Sequence, residues 1–266
     1  MTPVFTPFHH GGSGPPLVLI HGITDTWSTW ELVIPPLERK FEVLAVTLPG
    51  HAGGPALKGD FTADTLPAGI EAAMDGVGFG SAHVAGNSLG GWVALRLAER
   101  GRALSVSAFA PVGGWSADFQ ERHAFDYFVT QQELVKRAAP FAREIAATPE
   151  GRRQATRFIV EDDSLITAEM VVRQLVGAAN CPAAIPLVKF AREPGFQFDP
   201  DRVDCPVRFI WGTSDQLLRW PETAVRFQEK WFPDAVYVEL DGVGHCPQLE
   251  VPAETAEMIA GTARLA

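Results

Sequence analysis

The chain has 266 residues and a formal net charge of −10, and 46% of its residues are hydrophobic. This length and composition suffice to bury a sizeable core, in one large domain or in one domain with an insertion. The negative charge and the lack of any run of five Lys or Arg residues argue against a nucleic-acid partner, because phosphate binding needs a basic face.

The cysteines and the apolar patterning restrict the class further. Cys181, Cys205 and Cys246 are far apart and form no C-x-x-C pair, so neither a disulfide framework nor a thiolate metal site is indicated. Residues 1–12 contain no Lys or Arg and no continuous apolar stretch, unlike a secretory signal. The sequence contains no run of about 18 apolar residues, so we expect no membrane-spanning helix. We therefore expect a cytoplasmic protein without a metal and without a membrane partner.

Short apolar runs alternate with helical patterns in the first half of the chain. This alternation is typical of βαβ units around a parallel sheet, whose strands are apolar because helices cover both faces. His9 and His10 lie beside two glycines and suggest a hairpin turn. The predicted strands of this half are residues 16–20, 42–48, 82–86 and 104–110, and the predicted helices are residues 28–37, 63–75 and 89–100.

The pattern changes after Pro111. Only helical patterns follow until residue 190, and the sheet pattern then resumes. We therefore predict an α/β core formed by residues 1–112 and 191–266, interrupted by a helical insertion, the cap, at residues 113–190. The predicted helices of the cap are residues 119–130, 132–147, 152–161 and 167–179, and the later elements are strands 206–211 and 235–240 with helices 221–232 and 252–264.

A motif for a nucleophile lies between the strand at 82–86 and the helix at 89–100. Residues 86–90 read Gly-Asn-Ser-Leu-Gly and match G-x-S-x-G in the strand–turn–helix context that the motif requires. The turn is tight enough that only glycine fits two positions either side of the serine. The motif therefore places the Ser88 hydroxyl above the sheet, and the backbone N–H of Leu89 points to where an oxyanion would form.

A serine nucleophile needs a base, and the base needs a group that orients it. Asp215 follows the strand at 206–211, and His245 follows the strand at 235–240, so their loops are expected to meet at one sheet edge. Imidazole suits the base because it titrates near neutral pH. Asp118 is a rival acid, and His123 in the cap is a candidate pocket residue.

A second oxyanion donor is expected after the first buried strand. His21-Gly22 ends that strand, and the small Gly22 lets the backbone approach the nucleophile. We predict that the backbone N–H of Ile23 supplies this donor.

These motifs together resemble the α/β-hydrolase superfamily. They are His21-Gly22, the Leu-Pro-Gly-His stretch at 48–51, the Gly-Asn-Ser-Leu-Gly-Gly elbow at 86–91, the Trp-Gly-Thr-Ser-Asp stretch at 211–215, and Gly244-His245. The resemblance implies an α/β fold with a mostly parallel eight-stranded sheet, helices on both faces and an inserted helical cap. It also implies a triad of Ser88, His245 and Asp215, an oxyanion hole of Ile23 and Leu89, and no cofactor. Thr47 departs from the family, where Asp often precedes the Leu-Pro-Gly-His stretch.

The expected function is a serine hydrolase that cleaves a carboxylic ester, lactone or thioester through an acyl-enzyme on Ser88. Two alternatives use the same scaffold: a carbon–carbon bond hydrolase of ring-cleavage products, and a cofactor-free perhydrolase or haloperoxidase. Haloalkane dehalogenases and epoxide hydrolases of this superfamily use a carboxylate nucleophile, where this chain has Ser88. A binding protein that has kept only the fold would be expected to lose a triad member, and none is missing.

The cap is rich in aromatic residues and is expected to set the substrate. Trp115, Phe125 and Phe128 are candidates to contact an apolar or aromatic acyl group of a small-molecule substrate. The cap arginines suggest a solvated face, although one of them would suit the carboxylate of a ring-cleavage product. These arginines are Arg137, Arg143, Arg152, Arg153 and Arg157.

Overall fold

The computed structural model describes residues 3–115, 121–192 and 195–266, without the side chains of residues 121–127. Its centre is a seven-stranded sheet with the order β1-β3-β2-β4-β5-β6-β7, in which only β1 runs antiparallel to its neighbour. This confirms the predicted α/β fold with a mostly parallel sheet. The strands are β1 (Phe8–Gly12), β2 (Pro16–Ile20), β3 (Glu42–Val46), β4 (Ala82–Asn87), β5 (Ala103–Phe109), β6 (Val207–Gly212) and β7 (Val236–Leu240).

The apolar strands form because both of their faces are covered. Along β2, Leu17 and Leu19 belong to one hydrophobic cluster, whereas Val18 and Ile20 belong to another on the opposite face. This alternation follows from the period of two in strand geometry. The described helices are α1 (Ile34–Glu38), α2 (Thr65–Gly76), α3 (Leu89–Glu99), α4 (Glu121–Ala138), α5 (Ala142–Ala146), α6 (Pro149–Thr156), α7 (Ala168–Ala179), α8 (Ala184–Arg192), α9 (Pro247–Glu250) and α10 (Pro252–Ala263).

Helices pack on both faces of the sheet. Met74 of α2 and Trp92 of α3 contribute to one cluster, and Leu37 of α1 and Ile259 of α10 contribute to the other. The parallel strands therefore end at one edge of a covered sheet, which is where ligands bind in open α/β folds.

The described residues contain seven strands, where the family resemblance implied eight. The first of them is β1, which replaces the hairpin turn expected at His9 and His10. Both histidines pair with Ala45 and Leu44 of β3 across an antiparallel ladder. The side chain of His9 also hydrogen-bonds to Glu38 at 2.7 Å. The side chain of His10 hydrogen-bonds to Glu42 at 2.9 Å.

Five helices, α4 to α8, lie between β5 and β6 in the described part of the chain. Helix α4 packs against α7 and α8. No single described helix is long and apolar enough to cross a membrane, although α7 and α8 meet the length and composition test as a pair bent by 68°. The predicted helix at 221–232 is shorter in the structure, because residues 221–224 form turns and helical structure covers only residues 225–231, with the π-helical segment Phe227–Trp231 at its end.

Candidate active site

Ser88 lies between the end of β4 and the start of α3. Its backbone has φ 57° and ψ −117°, a conformation that only glycine adopts without strain. The N–H of Ser88 donates to the carbonyl of Phe109 at 2.8 Å, and the N–H of Val112 donates to the carbonyl of Ser88 at 3.3 Å. The end of β5 and the residues after it therefore bind both the N–H and the carbonyl group of Ser88. Leu89 begins α3, so its N–H has no partner within the helix.

The glycines around Ser88 permit backbone contacts that no side chain would allow. A Cβ on Gly86 would lie 2.1 Å from the carbonyl oxygen of Gly90, and one on Gly90 would lie 2.2 Å from that of Ile20. A Cβ on Gly22 would lie 3.3 Å from the Cβ of Ser88. The loop after β2 therefore passes directly beside Ser88, as the sequence predicts.

The structure joins Asp215 to His245, which follow the neighbouring strands β6 and β7. The Nδ1 atom of His245 lies 2.7 Å from Oδ2 of Asp215, and both side chains are buried. The other oxygen of Asp215 accepts hydrogen bonds from the N–H groups of Leu217 and Leu218, each at 2.8 Å. These bonds fix the carboxylate so that it orients the imidazole ring.

Glu250 supports the loop that carries His245. One oxygen of Glu250 accepts from the N–H of Gly244 at 2.8 Å. The other accepts from the N–H groups of Glu161 and Asp162 at 3.1 and 3.0 Å. Burial raises the pKa of Glu250 above its usual value. One carboxyl group therefore links the His245 loop to the segment that follows α6.

The amide of Asn87, next to Ser88, also contacts the His245 loop. Its Nδ2 atom donates to the backbone carbonyl of His245 at 2.9 Å. Its Oδ1 atom accepts from Nε2 of Gln248 at 3.2 Å and from Sγ of Cys246 at 3.4 Å. Burial, together with nearby carboxyl groups, raises the pKa of the Cys246 thiol well above its usual value, so this residue stays a neutral thiol.

His21 braces the loop that passes beside Ser88. Its Nδ1 atom lies 2.6 Å from the carbonyl oxygen of Gly22, and its Nε2 atom accepts from the N–H of Leu48 at 2.9 Å. Burial lowers the pKa of His21 well below its usual value, and the neighbouring ring of His51 lowers it further. Burial also lowers the pKa of His51 to about 4. Both rings are therefore neutral at neutral pH and act as structural hydrogen-bonding groups.

Asp25 lies in the same loop, where sequence analysis did not single it out. Burial of its carboxyl group raises its pKa to about 6, although hydrogen bonds from Thr26 and Thr29 and the charge of Arg173 act in the opposite direction. Arg173 of α7 in turn forms an ion pair with Glu31. Asp25 also lines the cavity into which Ser88 opens.

A cavity of about 520 Å³ lies between the carboxyl ends of the strands and helices α4, α6, α7 and α8. Its described lining is mostly apolar. Ser88, Ile23, Leu89 and His245 line it together, and Asp215 lies behind His245. Two of the three predicted substrate contacts, Trp115 and Phe128, also line it. The side chain of Phe125 lies outside the described residues, as do Asp118 and the side chain of His123.

The described lining of the cavity contains no Arg or Lys residue. The cap arginines make other contacts: Arg143 lies 3.9 Å from Glu169, Arg153 lies 3.8 Å from Glu150, and Arg157 stacks on the ring of Phe158. In the part of the chain that the structure describes, no group of three His, Cys, Asp or Glu residues is arranged to hold a metal ion.

Sequence analysis missed Asp25, Gln248 and Glu250. Their proximity to predicted site residues along the chain was the available signal, since each lies within five residues of Ile23 or His245. Their partners are distant in sequence, so their contacts could not be read from local patterns. Thr47, where the family often has Asp, accepts from the N–H of Trp27 at 3.3 Å and donates to the carbonyl of Thr6 at 3.0 Å.

Comparisons with known proteins agree with this fold. The chain is 32% identical over 206 residues to the epoxide hydrolase EphH of Mycobacterium tuberculosis, covering 71% of this chain and 89% of that protein. It is 28% identical over 254 residues to the pimeloyl-[acyl-carrier protein] methyl ester esterase of Nitrosomonas europaea, covering 91% of this chain and 93% of that protein. The structure is similar to that of the meta-cleavage product hydrolase of Pseudomonas fluorescens, with a TM-score of 0.69, 22% identity and coverage of 97% and 92%.

A family model described as the alpha/beta hydrolase family matches residues 17–258. That range runs from β2 to α10 and therefore includes every strand except β1. The chain belongs to the α/β-hydrolase family and is a hydrolase.

Proposed function

We propose that the protein is a serine hydrolase that cleaves an ester-type bond of a small molecule through an acyl-enzyme on Ser88. The observation that carries the proposal is the strained Ser88 in a largely apolar cavity that it shares with His245, whose Nδ1 atom lies 2.7 Å from Asp215. An ester-type substrate means a carboxylic ester, a lactone or a thioester.

In the proposed mechanism, His245 accepts the hydroxyl proton of Ser88 as the oxygen attacks the carbonyl carbon. The N–H groups of Ile23 and Leu89 stabilise the resulting oxyanion, and loss of one such donor typically costs about 3 kcal/mol. When the tetrahedral intermediate collapses, His245 gives the proton to the leaving alcohol. A water molecule then attacks the acyl-enzyme with His245 as base, which releases the acid and restores Ser88.

The residue at the nucleophile elbow favours ester chemistry over epoxide chemistry. One relative is named a methyl ester esterase and another an epoxide hydrolase. A serine at the elbow forms an acyl ester with a carbonyl substrate and suits the first reaction. The apolar lining with Trp115 and Phe128 favours an apolar or aromatic acyl group.

The test is labelling with a fluorophosphonate, followed by mapping of the adduct. We expect labelling at Ser88 and none in Ser88→Ala, and we expect that this substitution lowers ester turnover on the order of 10⁶-fold. Ser107→Ala is the matched control, because Ser107 is also a buried serine but lies within β5. Labelling at another residue, or none in a folded parent protein, would contradict the proposal.

A substrate panel separates the alternatives. p-Nitrophenyl esters of graded acyl size, lactones, and dienones typical of ring cleavage are compared, each with and without hydrogen peroxide. Cleavage of dienones alone would replace ester hydrolysis with carbon–carbon bond hydrolysis. Formation of peracid faster than acid would indicate a perhydrolase.

A further inference from the structure

We propose that Gln248 is a positioning residue for the reaction. Its side-chain amide fixes the relative positions of three segments, which are the loop beside Ser88, the nucleophile turn and the His245 loop. This inference rests on the proposed function, because it concerns the placement of Ser88 and His245. Gln248 lies in the short helix α9 and is fully buried.

The Nε2 atom of Gln248 has two acceptors on two different segments. It lies 3.2 Å from Oδ1 of Asn87 in the nucleophile turn and 3.3 Å from Oγ1 of Thr29. Thr29 belongs to the 3-10 turn Trp27–Trp30, which ends the loop that carries Ile23. The side chain of Thr29 also hydrogen-bonds to Asp25, which lines the cavity. Gln248 therefore joins two walls of the site.

The contact with Asn87 has a further effect, because it helps to set which way the Asn87 amide faces. The Oδ1 atom faces two donors, Gln248 and the thiol of Cys246. The Nδ2 atom faces two carbonyl groups, those of His245 at 2.9 Å and Phe109 at 3.3 Å. A thiol is a weak donor, so Gln248 is the stronger of the two. Without it, a rotated amide would bring two oxygen atoms together at His245.

A purely structural role does not explain this amide. The Oε1 atom of Gln248 is buried and has no hydrogen-bond partner among the described residues. A buried acceptor without a partner destabilises the fold, and an apolar side chain of the same shape avoids that cost. Gln248 is therefore better suited to orienting its partners than to stabilising the protein.

The first test is Gln248→Met, which removes both hydrogen bonds and nearly keeps the volume. We measure how the fluorophosphonate labelling rate depends on probe concentration. The maximal labelling rate is expected to fall about 10- to 100-fold because of misplacement, while the concentration for half-maximal rate changes less than about threefold. The melting temperature is expected to stay the same or rise. The control is Thr255→Val, which removes a buried hydroxyl without a described partner from the neighbouring helix α10 and is expected to leave the labelling rate unchanged.

The second test is Gln248→Glu, which keeps the shape but donates a hydrogen bond only when its carboxyl group is protonated. Buried glutamates can have a pKa of about 8 to 9, so this proton is available within the working range. The labelling rate relative to the parent protein is expected to rise as the pH falls from about 9 to about 6.

These tests separate the inference from the proposed function. A Gln248→Met protein that labels at the parental maximal rate, or a Gln248→Glu ratio that does not change with pH, would overturn the positioning role while Ser88 remains the nucleophile. A parent protein that takes no label at Ser88 would overturn the proposed function itself.

Discussion

The two walls of the cavity are built in different ways. On the core wall, Gly22, Ser88 and His245 are buried. The backbone carbonyl of Phe109 accepts from the N–H of Ser88, the Asn87 amide binds the carbonyl of His245, and the backbone around Gly86 and Gly90 leaves no room for a Cβ atom. On the cap wall, Phe128 extends from helix α4 and Phe158 from the turn that follows α6, and both side chains are only partly buried. In the proposed hydrolase, the backbone therefore sets the reaction geometry, whereas side chains of the cap set the surface that would meet the acyl group.

Among the substitutions that compare the two walls, Asp215→Asn gives the largest expected effect. The amide keeps the shape of the side chain but favours the wrong tautomer of His245, so ester turnover is expected to fall about 10⁴-fold. KM should change little, because the acyl group contacts the cap wall. The measurement is kcat and KM for one p-nitrophenyl ester. Unchanged turnover would point to Asp118 as the acid and would contradict the assignment of the reaction geometry to the core wall.

A pair of glycine substitutions compares the two regions under one chemical change. In Gly90→Ala, the new Cβ would lie 2.2 Å from the backbone oxygen of Ile20, and the free energy of unfolding is expected to fall by about 3 kcal/mol or more. In Gly177→Ala of α7, the nearest atom is a ring carbon of Phe5 at 3.2 Å, which can move. The change expected there is within about 1 kcal/mol, since alanine also favours the helix.

Urea unfolding at fixed pH measures the free energy of unfolding of both variants, and the rate of fluorophosphonate labelling shows whether the active site is intact. Equal losses of stability for Gly90→Ala and Gly177→Ala would show that the cap is as tightly constrained as the core.

The smallest expected effect concerns Asp25, at the junction of the two walls. Its pKa rises from 3.8 to about 6 on folding, so the folded state binds the proton more tightly than the unfolded state. Stability is therefore lost as the pH rises from about 4 through about 6, by at most about 3 kcal/mol. Asp25→Asn removes this charge and is expected to raise stability by about 1 to 2 kcal/mol above pH 7 and by little near pH 4.

The measurement is urea unfolding of Asp25→Asn across this pH range. Asp60→Asn, at an exposed position, is the control and is expected to give no pH-dependent gain. A gain that is the same at low and high pH would show that the Asp25 charge is not the cause.

The sequence allowed good predictions where local pattern and burial agree. Strands β2, β3 and β4 are short apolar runs between glycine- or proline-containing turns, and such runs need a sheet covered on both faces. The elbow at Ser88 was predictable because its glycine spacing reflects a backbone contact within five residues. The roles of Ser88, Asp215 and His245 in catalysis stay a prediction until Ser88 is labelled.

The remaining features depend on contacts that local pattern does not encode. The sequence predicts a turn at β1 because His-His-Gly-Gly has little strand propensity, whereas pairing with β3 decides the structure of this segment. α8 was not predicted, although Lys189 and Arg192 give it an exposed polar face, because Pro186 lies within its first turn. Gln248 and Thr29 are 219 positions apart, so their hydrogen bond becomes visible only in three dimensions.

The carboxyl group of Glu250 has a consequence for how this protein tolerates sequence change. Its partners at Gly244, Glu161 and Asp162 are all backbone N–H groups. Backbone donors are the same for every residue except proline, so the hydrogen bonds to Glu250 do not depend on which side chains stand at positions 161 and 162, provided that the chain keeps its path and takes no proline there. Glu250 is the only residue that contributes its side chain to these bonds. A graft that exchanges the helices above the sheet therefore needs to keep Glu250 and the backbone path of this segment for these bonds to form.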